Sequence, residues 1–408
     1  MGLLKKEEGG KAMKRFSLVL FVFLLIWGLT PGPTYAQKVL KIGVLGPMTG
    51  PASLWGLAMH NCVEMWAEEV NAQGGLQVKG EKYKIETITE DTKYDAARAV
   101  AGAEKLVNRD KVKFIIGTNG THEALAVLPI TTPAKVILCT FCFDRSAIGP
   151  QYPYSFRSIP TAYEFYTPMY KWLRQKYPDK KRLVLVVKNY AGGLVVRDQA
   201  KEATEKEGYQ IVGVETYQPA TTDFYPIMTK ILAHKPEVMD FTAASGGDTG
   251  LLLKAAKQLG YKGITLQGTQ GDPGTVISTA GKENAEGHFF MGGGSDEAVA
   301  SPAMVAFIKV YSKRYGSWNE VASQDYYIPR LVGLAIQKAA TTEDTDAIAK
   351  ALEATEMKAP LVKGNPTVKF TGKNYYGRNS QVIMPLALVQ VIGGQPKTVT
   401  VLEAKHLD

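Results

Sequence analysis

Cysteine and histidine are scarce in this chain, with 3 Cys and 5 His among 408 residues. So few thiols cannot form the multi-bridge framework of a small secreted domain, and a chain this long can bury a core without one. The histidines, at positions 60, 122, 234, 288 and 406, show neither a His-Glu-x-x-His motif nor any other paired ligand spacing, so no metal site is expected. A Gly-x-Ser-x-Gly elbow, a Walker phosphate loop and a Ser-x-x-Lys pair are missing too, which removes the common signatures of hydrolases and nucleotidases. The run from Gly43 to Gly50 is glycine-rich without Gly-x-Gly-x-x-Gly spacing, and Pro47 withdraws an N–H that a pyrophosphate would want. No cofactor is therefore expected. Beyond Gln37, no apolar stretch reaches the roughly 18 residues of a membrane-spanning helix.

What is present is an ordinary globular composition, 45% hydrophobic and 21% charged, with 40 Gly and 21 Pro. Basic residues outnumber acidic ones 48 to 39, a formal charge of +9. Part of that excess is local. Met13-Lys14-Arg15 leads into a 14-residue apolar run, Phe16 to Leu29, followed by Thr30-Pro31-Gly32-Pro33 and the small residues before Gln37. A basic start, a short apolar segment and a small-residue site make residues 1–36 a secretory signal cleaved after Ala36, with the mature chain exported to the periplasm. These residues carry five basic and two acidic side chains, which leaves +6 dispersed among acids over the rest. No basic stripe interleaved with aromatics stands out, so nucleic acid is not an expected partner.

From Val39 onward, short β-branched runs alternate with helical periodicity. Val39 to Leu45 reads as a strand, and Trp55, Met59, Cys62, Trp66 and Val70 then recur at spacings of 4, 3, 4 and 4, one face of a helix ended by Gly74-Gly75. The alternation continues to Cys139, and a second series runs from Glu164 to Gln267. Two parallel sheets covered by helices are expected. Beyond Gly287 come three helical stretches and then β-rich sequence, which suggests that the chain returns to the first unit and crosses again near its end. The expected units are 38–160 with 290–380, and 161–289 with 381–408.

Ligands in open α/β sheets bind beyond the carboxyl ends of the strands. Those ends carry Trp55, the stretch Thr118 to Thr121, and Cys142-Phe143-Asp144 in the first unit. In the second they carry Tyr190, Ser245 and Gln270. Hydroxyls, glycine backbone and aromatics converging in this way suit a small carboxylate, held by the Thr121 hydroxyl and the N–H groups near Cys142 to Asp144, with Trp55 or Phe143 against its apolar part. Cys139-Thr140-Phe141-Cys142 has redox spacing, yet at a strand end residues i and i+3 point to opposite faces, so a buried or pocket-edge thiol pair is the better reading. An exported enzyme using His122, Asp144 and Arg145 is a rival, but no nucleophile and base pair supports it.

The phrases Ile42-Gly43-Val44-Leu45-Gly46-Pro47-Met48-Thr49-Gly50, Trp55-Gly56, Glu69-Val70-Asn71-Ala72-Gln73-Gly74-Gly75-Leu76 and Ile115-Ile116-Gly117 resemble the periplasmic solute-binding proteins of branched-chain amino-acid ABC transporters. That resemblance implies an α/β fold of type I, two Rossmann-like lobes joined by three hinge crossovers. It also implies a monomer that closes on a branched-chain or related amino acid and delivers it to the inner-membrane permease of an ABC importer. Trp55 then falls at an aromatic contact, Thr121 at the carboxylate-binding hydroxyl, Cys142 to Asp144 in the amide-donating loop, Tyr190 at the covering aromatic, and Ser245 where Tyr is frequent. Gln270 takes the place of a Glu that holds the α-ammonium, with Asp248 or Asp272 near enough in sequence to compensate. Without compensation, the ligand is a carboxylate lacking an ammonium, such as an aromatic or keto acid. A ligand-sensing module is a further alternative.

Overall fold

The protein is described by a computed structural model covering residues 38–50, 52–292, 295–296 and 299–403. The signal segment 1–36 lies outside the described residues, as does the side chain of Gln270. Strand β1 (Lys38–Gly46) begins a first series with β2 (Leu76–Val78), β3 (Glu81–Asp91), β4 (Phe114–Asn119), β5 (Ile137–Phe141) and β6 (Ser155–Arg157). A second series comprises β7 (Arg182–Lys188), β8 (Gln210–Tyr217), β9 (Val238–Asp240), β10 (Ile264–Gln270) and β11 (Phe289–Gly292). The chain ends with β12 (Glu356–Lys358), β13 (Thr367–Thr371), β14 (Gln381–Ile383), β15 (Leu386–Ile392) and β16 (Gln395–Leu402).

Two sheets result, in the orders β12-β13-β14-β6-β5-β4-β1-β3-β2 and β16-β15-β11-β10-β9-β7-β8. Both contain the same parallel core, in which the second strand lies to one side of the first and the later strands to the other. The central strands β4 and β5 and most of β1 are buried on both faces, which is why they read as nearly continuous apolar runs. In β7 the period of two is explicit: Leu183, Leu185 and Val187 enter one core with Tyr166 and Tyr170, while Val184 and Val186 enter the other with Met228 and Leu252. The three-residue strands β2 and β6 were not legible from periodicity, because so short a run shows too few alternations.

The helix Ser53–Ala72 buries Met59, Cys62 and Trp66 on the first sheet, the face its spacing predicts. Trp55, one turn before Met59, is 36% exposed instead. Helix Tyr327–Ala339 joins that same core with Leu331, Val332 and Ile336. The chain therefore passes between sheets three times: at 158–161, between β11 and Ala300, and between β14 and β15.

Packing under the second sheet is tight at one point. An added Cβ on Gly268, in β10, would lie 1.6 Å from Cε1 of the fully buried Tyr166 ring. Gly268 also donates its N–H to Asp240 Oδ1 at 3.2 Å, and Tyr170 donates to Asp240 Oδ2 at 2.5 Å. Gly268→Ala should cost about 1–3 kcal/mol through overpacking and lower the urea midpoint. Gly247→Ala, where nothing stands within 4 Å, should leave that midpoint unchanged or raise it.

Candidate functional site

In each sheet the chain reverses its direction of winding at one place, between β1 and β4 in the first and between β7 and β9 in the second. A crevice opens there by necessity, because neighbouring strands send their connections to opposite faces. The two crevices share one cavity of about 110 Å³, lined in part by Ile159 and Pro160 of the first crossover and by Met291 of β11 and Leu386 of β15 beside the other two.

The first sheet contributes Thr121 at the start of helix Thr121–Thr131, whose N-cap Gly120 has φ of 128° and supplies no capping side chain. First-turn N–H groups at that end are unsatisfied within the helix and carry the positive pole of its dipole. Any side chain at Gly120 would strike Tyr94, because an added Cβ would lie 2.8 Å from its ring. Tyr94 instead packs edge-on against His122 with centroids 4.6 Å apart, and lies 6.2 Å from Trp55. Burial pushes its phenol up to about 12. On the opposite wall, Tyr190 is the N-cap of helix Ala191–Lys206, which also has no capping side chain. Its ring folds back over Gly192 and Gly193, where an added Cβ would lie 2.9 and 3.1 Å from ring carbons.

The Phe143 backbone couples these walls to the crossovers. Its N–H donates to Thr121 Oγ1 at 3.3 Å, leaving the threonine proton available to a ligand. Its carbonyl accepts from Gln199 Nε2 at 3.0 Å, on the helix that carries Tyr190, and from Arg157 Nη1 at 3.2 Å. Arg157 ends β6 with no exposure at all. It faces Glu164 Oε1 at 3.7 Å, lies 4.8 Å over the Tyr376 ring and donates through Nε to Gln381. Glu164, in the first turn of helix Ala162–Lys176, accepts from the Thr161 N–H at 2.6 Å, the Thr161 hydroxyl at 2.7 Å and the Tyr376 hydroxyl at 2.5 Å.

Of the nine residues expected from sequence, Trp55, Thr121, Phe143 and Tyr190 line the cavity. Thr118, Cys142, Asp144 and Ser245 stand beside it and do not line it. Thr118 is fully buried, 3.4 Å from Thr140 Oγ1. Cys142 packs into the core beneath helix Thr121–Thr131. Asp144 accepts from Ser146 N–H, and Ser245 caps the next helix by accepting from Asp248 N–H. Gln270 ends β10, its side chain outside the described residues. Tyr94, Phe141, Phe165, Thr269 and Gln324 also line the wall and were not expected there. Tyr94 gives no local signal, being in a turn with φ of 63° after β3.

All three cysteines are free and buried. Cys139 and Cys142 enter opposite cores, and burial pushes their thiols up to about 12 and about 11.

Removing one member of the Arg157–Glu164 pair strands the other charge. Arg157→Met should therefore cost about 3–5 kcal/mol in urea unfolding, and adding Glu164→Gln should recover part of the loss. Glu123, buried in the first turn of the ligand-facing helix, has its carboxyl pushed up to about 7 by burial, with Asp95 and Asp91 adding to the push. The folded state therefore holds that proton more tightly than the unfolded chain. Stability from this group is present at acid pH and lost as pH rises from about 4.3 to about 7. Thermal unfolding should show Glu123→Gln gaining on the natural protein between pH 5 and pH 8.

A family model described as "Periplasmic binding protein" matches residues 39–395. A Brucella melitensis protein named Leu/Ile/Val-binding protein homolog 3 is 27% identical over 323 residues, 78% of this chain and 84% of that one. The crystal structure of the branched-chain amino acid transporter substrate binding protein LivJ from Streptococcus pneumoniae, in complex with isoleucine, has a TM-score of 0.72 at 20% identity, covering 90% of this chain and 100% of that one. A solute binding protein of an ABC transporter from R. palustris, in complex with benzoate, also has a TM-score of 0.72, at 19% identity over 90% and 98%.

Proposed function

Because the chain belongs to the periplasmic binding protein family, with the type I fold of two α/β lobes, we propose that it captures a small carboxylate and feeds an ABC importer. The observation that carries this reading is the cavity where two switch points face each other, with an uncapped helix N-terminus on each wall and the Thr121 hydroxyl beside one of them. Helix ends of this kind attract anions through free N–H groups and the dipole. Isoleucine and benzoate, the ligands of the two solved relatives, share a carboxylate on an apolar body.

The mechanism is closure. Two lobes, one on the sheet of β1–β6 with β12–β14 and the other on that of β7–β11 with β15 and β16, rotate about the three crossovers, so the expected boundaries at 290 and 381 move past β11 and β14. A ligand that touches both walls favours the closed state by its differential affinity, and the permease reads that state. Gln199 reaching the Phe143 carbonyl is a bond between the lobes that their separation would break. Residues 1–36 direct export, cleavage follows Ala36, and the mature protein works as a monomer in the periplasm.

Mature protein should melt at higher temperature with its ligand and show a smaller radius of gyration in solution scattering. Thr121→Val should weaken binding about 10- to 100-fold without altering the fold, because a hydrogen bond to a charged group is lost. If no small carboxylate shifts the melting temperature, the reading fails.

A further inference from the structure

The cavity wall combines many aromatic surfaces with no charge. Among the described residues that line it there is no Asp, Glu, Lys, Arg or His. Six aromatic side chains face in, Trp55, Tyr94, Phe141 and Phe143 from the first lobe and Phe165 and Tyr190 from the second. Acids beside wall residues in sequence are engaged elsewhere: Asp95 accepts from the Arg98 N–H, Asp144 from the Ser146 N–H and Glu320 from the Ser295 hydroxyl, while Glu164 faces Arg157. Asp248 accepts from Lys188 Nζ at 2.8 Å and from the Tyr217 hydroxyl at 3.1 Å. Asp272 caps helix Pro273–Ala280 through the Thr275 N–H. Asp325 follows the wall residue Gln324 but is 2% exposed and does not line the cavity, and burial pushes its carboxyl well above the usual range.

These facts treat the two ends of an amino acid differently. A carboxylate finds the Thr121 hydroxyl and the free amides at helix N-termini, which stabilise negative charge without a cation. An ammonium entering the same cavity loses its water, meets those same positive helix poles and finds no carboxylate among the described wall residues. Burying it unpaired costs several kcal/mol. The rest of the wall offers flat faces from both lobes, suited to stacking on a ring.

Resting on the reading of this cavity as the ligand site, we propose that its substrate class is aromatic monocarboxylates without an amino group, selected against α-amino acids. Positive helix poles set the sign of the charge that is accepted. The absence of an anionic partner excludes the ammonium, and the aromatic wall selects the ring.

Calorimetry on the mature protein with matched pairs tests this: 3-phenylpropanoate against phenylalanine and 4-methylpentanoate against leucine, with benzoate alongside. The expected result is that each amino acid binds at least about 100-fold more weakly than its amino-free partner. It is also expected that 3-phenylpropanoate and benzoate bind more tightly than 4-methylpentanoate. Leucine or phenylalanine binding as tightly as its partner overturns the inference and leaves ligand capture standing. Equal affinity for 4-methylpentanoate and the ring acids overturns the aromatic selection. Heat from none of the five compounds overturns both this inference and the capture reading.

Discussion

The buried pairing of Arg157 with Glu164 is the constraint on which most of this architecture depends. One charge ends β6 in the first lobe and the other opens the first helix of the second lobe, seven residues later and across a crossover. Neither side chain has any contact with water. Such a pair needs surrounding groups to take up its remaining donors and acceptors; here Thr161, Tyr376 and Gln381 take up several, while Arg157 Nη2 makes no hydrogen bond and faces Glu164 at 3.7 Å. Gln381 in turn donates to the Ile159 carbonyl at 2.8 Å, tying the first crossover to the strand that precedes the last. The lobes are thus joined by a charge that cannot be left alone on either side. The same guanidinium holds the Phe143 carbonyl, so the junction and the ligand wall share one cation.

The site follows from doubling one topology. Each lobe has a parallel core with a switch point, and each switch point places a helix start at its mouth. Facing them across a cleft puts two positive helix poles on one small volume. No cationic side chain is needed among the described wall residues to attract an anion. The rings of Tyr94 and Tyr190, one from each wall, are accommodated by glycines that let aromatic faces approach the backbone. Work that charged side chains do in other sites is carried by backbone dipoles and aromatic surface.

Much of this was legible in the sequence, and what was not has physical reasons. The spacing of Met59, Cys62 and Trp66 reported a helix face because those residues share one core. Trp55 broke the burial pattern while keeping the spacing, as a residue at the cavity does. Thr121, Phe143 and Tyr190 follow from the rule that ligands sit beyond strand ends. Thr118 and Cys142 were within a few residues of the site but point away from it, and the register of β4 against β5 shifts between Ile116 and Asn119, so a strand's alternation cannot be extrapolated to its end. Phe165 belongs to a helix and Met291 and Leu386 to strands β11 and β15, places where no local pattern marks a wall. The Arg157–Glu164 pair was equally invisible, since proximity across a crossover leaves no trace in spacing.

The separation of Cys139 and Cys142 into opposite cores bears on life in an oxidising compartment. The periplasm drives exposed thiols toward disulfides. These two are close neighbours in sequence, the pairing an extended chain would make most readily, yet Cys139 in β5 enters one core and Cys142, one residue past its end, enters the other. Once that strand is inserted between β4 and β6, no oxidant can join them without extracting it. The sheet acts as a partition between two reactive atoms, and chemical durability comes from strand geometry alone.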